Sequence, residues 1–86
     1  MFDVILSPEA RTFYVDADRS LAAKLARCFA QLAREPRRHG NVKRLRGELA
    51  GLFRYRVGDW RVVYRVENEA RRVVVLLIAH RREVYE

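Results

Sequence analysis

The chain reads as an α+β domain in which an N-terminal strand and a helical hairpin pack on one face of a mainly antiparallel β-sheet. Three observations carry that expectation. Leu21, Leu25, Cys28, Phe29 and Leu32 recur at helical spacing and form one apolar stripe over residues 19–35. Residues 52–66 alternate apolar and charged side chains about Gly58-Asp59, the pattern of a hairpin closed by a two-residue turn with Gly at its first central position. Val73, Val74, Val75, Leu76, Leu77 and Ile78 run without alternation, which predicts a strand covered on both faces and interior in its sheet.

Taken in order, Phe2 to Leu6 is a short apolar run that predicts the first strand. Ser7-Pro8-Glu9 announces a helix, with Ser at the N-cap, Pro at the first helical position and Glu at the positive end of the dipole. That helix is short, because Asp16-Ala17-Asp18 offers a new capping site from which the second helix restarts. Pro36 ends the second helix, and residues 37–41 form a basic loop. Residues 42–51 read as a connection with a short extended piece, bounded by Gly47 and Gly51, that leads into the hairpin. The last strand spans Arg72 to Ala79. With no repeat, linker or low-complexity segment, the 86 residues are expected to form one domain over 1–86.

Composition narrows the partners. The formal net charge is +7 and the pI is near 10.5, which points to nucleic acid, an anionic surface or an acidic protein. The excess is uneven: residues 1–41 carry seven Lys/Arg against five Asp/Glu, and residues 42–86 carry eleven against six. The basic surface therefore belongs mainly to the hairpin half. Sixteen of the eighteen cations are arginine, a residue suited to bidentate phosphate contacts, although an Arg-rich codon bias would produce the same count. One cysteine excludes an internal disulfide and a cysteine metal site. Asp3, Glu9 and Glu83 are too scattered to form a metal pair, and no cofactor motif occurs. The N-terminus lacks a basic leader, and no apolar stretch approaches a membrane span, so a cytoplasmic protein without membrane association is expected.

The hairpin half carries the chemistry. In its register Val57 faces Trp60, Arg56 faces Arg61 and Arg54 faces Val63. Alternation then puts Arg54, Arg56, Arg61 and Arg65 on one face, with Phe53, Tyr55, Trp60, Val62, Tyr64 and Val66 on the other. Like charges directly opposite one another destabilise a sheet. Arg56 against Arg61 either splays into water, as on any solvated sheet face, or has an anion to hold, and a polyphosphate is the obvious anion.

The run Leu45-Arg46-Gly47, then Leu49 through Val66, then Ile78-Ala79-His80-Arg81-Arg82-Glu83-Val84-Tyr85, resembles the RelE/ParE superfamily of toxins from type II toxin-antitoxin pairs. Ser7-Pro8-Glu9-Ala10, the helical hairpin and the length agree with it, and His80-Arg81 with Val84-Tyr85 favours the RelE branch over the gyrase-poisoning ParE branch. The resemblance implies the RelE-like fold and a ribosome-dependent, metal-independent endoribonuclease that cuts mRNA in the decoding site. It also implies an acidic RelB-like antitoxin and contact with ribosomal RNA. Carried over, the residues around the scissile phosphate are Arg54, Arg56, Arg61, Arg81 and Tyr85. In that chemistry the ribose 2′-hydroxyl attacks the adjacent phosphorus, giving a cyclic phosphate and a 5′-hydroxyl. Fixed cations must stabilise the added charge, while one group takes a proton and another gives one.

Where RelE proteins carry lysines on the first hairpin strand, this chain has arginines, whose pKa above about 12 makes them poor bases. Arg54 and Arg56 are therefore phosphate clamps, Tyr85 is the candidate base, and Arg81 or a water it holds serves the leaving oxygen. Arg65 has no family role and reads as surface. His80 ends a buried strand and reads as structural, Trp60 and Tyr64 as core, and Cys28 as a small core residue. The loop Arg37 to His39 is either a solvated turn or an RNA contact. Two other functions compete: a non-enzymatic gyrase inhibitor of the same fold, and an RNA-binding module without cleavage.

Overall fold

The structure, a computed structural model, describes residues 1–84. Its elements are β1 (Asp3–Leu6), α1 (Pro8–Asp16), α2 (Arg19–Arg34), β2 (Val42–Arg44), a short 3-10 turn (Gly47–Leu49), β3 (Phe53–Val57), β4 (Trp60–Glu67) and β5 (Arg72–His80). The strands form one sheet in the order β1-β5-β4-β3-β2. All neighbouring pairs are antiparallel except β1 with β5. The interior position expected of the last strand is realised.

Both helix starts follow from their caps. The Ser7 hydroxyl accepts from the Ala10 N–H at 3.1 Å and itself donates to the Leu76 carbonyl at 2.9 Å, so one side chain caps α1 and docks it on β5. That carbonyl is available because the β4–β5 register shifts between Val63 and Tyr64: Val63 pairs with Leu77 and Tyr64 with Val75, which leaves Leu76 as the extra residue of a bulge. Asp18 caps α2 through the Leu21 N–H at 2.8 Å.

The helices cover one face of the sheet. Leu25, Cys28 and Leu32 of α2 and Ala10 of α1 meet Phe53, Tyr55, Val57, Val62, Tyr64, Val73, Val75 and Ile78. Leu21 and Phe29, the other members of the predicted stripe, pack at the margin of this core. Cys28 is enclosed, and burial pushes its thiol up to about 12, as suits a packing residue and not a nucleophile. Tyr64 is fully buried, its ring stacked on Phe53, and its hydroxyl donates to the Pro36 carbonyl at 2.6 Å, clamping the end of α2 to the sheet. Tyr64→Phe is expected to destabilise the fold by about 1–3 kcal/mol, because the Pro36 carbonyl is left buried without its donor. Urea denaturation of both proteins checks this; equal midpoints would contradict it.

The other face is not a uniform arginine surface, which refines the sequence-level expectation. Leu45, Val63, Ala79 and Val84 form a second buried cluster there, flanked by Leu49, Leu52 and Leu77. The 45–52 connection thus folds over part of the sheet, and Val84 pins the C-terminal segment beside it. The remainder of that face stays open.

Candidate active site on the open face of the sheet

The register of the hairpin agrees with alternation residue for residue. Phe53 pairs with Tyr64, Arg54 with Val63, Tyr55 with Val62, Arg56 with Arg61 and Val57 with Trp60. Of the two central turn residues only Gly58 takes a positive φ, 59°, as a type II′ turn requires, and this sets the pairing. Arg54, Arg56 and Arg61 therefore share the face away from the helices.

β2 extends that face. Lys43 pairs with Arg54, so a second like-charged pair lies beside Arg56 and Arg61. Each facing pair of cations costs a few tenths of a kcal/mol or more relative to neutral residues. Asn41, just before β2, accounts for the orientation of two of them. Its carbonyl accepts from Arg54 Nη1 at 2.7 Å and from the Arg56 N–H at 3.0 Å, while its side-chain oxygen lies 3.4 Å from Arg56 Nη2. Arg61 Nη1 donates to the Gly58 and Trp60 carbonyls at 2.9 and 3.0 Å. Carbonyl and amide oxygens orient a guanidinium without cancelling its charge.

Arg81 reaches the same turn from β5. Its N–H donates to the Asp59 carbonyl at 2.8 Å, and its Nε lies 3.8 Å from Asp59 Oδ1, both side chains being exposed. The Gly58-Asp59 turn is thus a common anchor for Arg61 and Arg81. After Arg81 the chain turns back, the Glu83 N–H donating to the His80 carbonyl at 2.8 Å, and Val84 enters the second cluster. Tyr85, the remaining predicted site residue, lies outside the described residues.

The other predictions sort cleanly. Arg65 is engaged by Glu67 at 3.1 Å, far along β4 from the turn, and Arg72 bonds the same carboxylate at 2.7 Å. Hydrogen bonds from Arg72 and then Arg65 hold the Glu67 carboxyl below its ordinary range. His80 faces the helices, edge-on to Trp60 at 5.5 Å, and Trp60 packs on Phe13 at 5.0 Å. Among the described residues no three of His, Cys, Asp and Glu converge. No helix is long and apolar enough to cross a membrane.

Sequence reasoning missed Asn41 and Lys43. One signal existed for Lys43, the only lysine in the basic half of the chain. Its place opposite Arg54 required the pairing of a three-residue strand, which alternation cannot register.

The comparisons with known proteins agree with this architecture. The family model for the ParE toxin of type II toxin-antitoxin systems matches residues 4–85. Toxin RelG of Mycobacterium tuberculosis is 46% identical over 67 residues, covering 78% of this chain and 75% of the relative. In the crystal structure of the toxin-antitoxin complex RelBE2 from the same organism, a 39% identical chain superposes with a TM-score of 0.78, covering 92% of this chain and 96% of that one. A chain of the archaeal RelE-RelB complex from Pyrococcus horikoshii shares the fold at a TM-score of 0.81 and 22% identity, covering 96% and 98%. By its matched family model, its relatives and its sheet topology, the chain belongs to the RelE/ParE family of type II toxin-antitoxin toxins, with the RelE toxins among its near relatives.

Proposed function

We propose that this toxin is a ribosome-dependent, metal-independent endoribonuclease that cuts mRNA in the decoding site. One observation carries the reading: Arg54, Arg56 and Arg61 are gathered on an open sheet face and oriented by carbonyl and amide oxygens, with Arg81 anchored at the same turn. Attack of a 2′-hydroxyl on phosphorus develops negative charge on the non-bridging oxygens. Preorganised cations stabilise that charge most strongly because they need not reorganise during the reaction. Arg54, Arg56 and Arg61 are the phosphate clamps, Tyr85 takes the 2′ proton, and Arg81 assists at the reacting phosphate.

Toe-printing of an mRNA on ribosomes, with and without the protein and in the presence of a chelator, tests this. New ends within the coding region are expected only with the protein and should persist in chelator. Intact message would defeat the reading. The ParE family model that matches the chain favours a second reading, inhibition of DNA gyrase by protein contacts. It would appear as loss of supercoiling activity in a purified gyrase assay with mRNA left whole. The silencing partner is a RelB-like antitoxin, acidic and partly disordered, which folds onto the basic hairpin half in the cytoplasm. Ribosomal RNA is the second anionic surface this half meets.

A further inference from the structure

The sheet order puts cations on both flanks of the clamp. Running from β5 to β2, the open face presents Arg81 just past β5, Arg61 on β4, Arg54 and Arg56 on β3, and Lys43 on β2. β5 and β2 are separated by three strand spacings, about 14 Å at roughly 4.8 Å each. Two long side chains reaching inward from opposite sides span that distance around one phosphate. Transfer at phosphorus places the entering and leaving oxygens roughly in line, at opposite poles of the phosphorus. A base on one flank therefore calls for an acid on the other.

We infer that Lys43 is the general acid that protonates the leaving 5′-oxygen. This rests on the reading of the chain as an mRNA-cleaving enzyme. The O2′–P bond forms as the P–O5′ bond breaks. The 2′ proton leaves to the base on the Arg81 flank, and a proton from Lys43 Nζ passes to O5′, giving the cyclic phosphate and the 5′-hydroxyl with no change of oxidation state. The residue type fits the task. An ammonium is charged at neutral pH and releases a proton far more readily than a guanidinium, so among the clustered cations lysine alone can deliver one. Lys43 is exposed, its strand is at the sheet edge, and its register partner is a phosphate clamp. Its neighbours on β3 along that face, Arg54 and Arg56, are both cations that an anionic substrate would neutralise. The alternative is an edge-strand lysine that merely guards against strand pairing.

The test uses the intact protein and ribosomes programmed with two messages, one natural and one carrying sulfur in place of the bridging 5′-oxygen at the cleaved position. A thiolate leaves without protonation. Lys43→Arg keeps the charge and is expected to lower the single-turnover rate on the natural message by about 10²-fold or more, with ribosome affinity within about threefold. On the sulfur message Lys43→Arg and Lys43→Ala should both return to near the parent rate. Parent-like cleavage of the natural message by Lys43→Arg overturns the inference, and so does a slow variant that the sulfur message fails to rescue. A parent protein that cuts neither message overturns the enzymatic reading itself and the inference with it.

Discussion

Arg61→Ala is expected to lower the rate of mRNA cleavage by about 10²–10³-fold and to abolish growth arrest, the cost typical of removing one preorganised donor from a developing oxyanion. Arg61 is the clamp residue whose position is most completely determined. It follows a type II′ turn directly, pairs with Arg56 across the hairpin and donates to the Gly58 and Trp60 carbonyls. Folding should survive the change. The alanine removes one of two facing cations at a half-exposed site, and such substitutions shift stability by about 0.5 kcal/mol or less. Single-turnover cleavage on ribosomes and a thermal melt, taken on one preparation, separate the two effects. Full toxicity of the purified Arg61→Ala protein would remove the phosphate clamp from the account. Lysine at Arg61 should recover part of the rate, because a point charge replaces the charge but not the bidentate fork.

Tyr85→Phe is expected to reduce cleavage by about 10²–10⁴-fold, the range for loss of a general base. The substitution keeps the ring and deletes only the phenol oxygen, so ribosome affinity should not move. A penultimate residue is ordinarily frayed. Here the residue before it, Val84, is 6% exposed and packed on Leu45, Val63 and Ala79, so the chain is held to the open face up to the site. A Tyr85→Phe rate within twofold of the parent would assign the proton to another acceptor. The sulfur-bridged message gives a second discrimination: it should rescue a lost acid and leave a lost base unrescued. Tyr85 and Lys43 variants are thus expected to behave oppositely on it.

The two predictions draw on different kinds of information. Arg61 was placed by alternation about a glycine turn, a rule that operates within fourteen contiguous residues and needs nothing from elsewhere in the fold. The caps at Ser7 and Asp18, the stripe on α2 and the interior position of β5 were legible for the same reason. Each reports a local periodicity or a local hydrogen-bonding need. The second apolar cluster was not legible, because Leu45, Val63, Ala79 and Val84 come from four separate segments and none belongs to an amphipathic run that would announce it.

The sequence by itself determined the α+β class, the hairpin register, the helix boundaries and the side of the sheet on which the arginines lie, because side-chain alternation and capping chemistry are properties of adjacent residues. Only the tertiary structure decided that β2 joins the sheet, setting Lys43 opposite Arg54 and letting Asn41 orient two clamp residues. It also decided that the β4–β5 bulge exposes the Leu76 carbonyl to the Ser7 cap. The physical reason is common to both. A three-residue strand and a single-residue bulge have too little periodicity to specify a partner, so their geometry is selected by the strands and helix that pack against them.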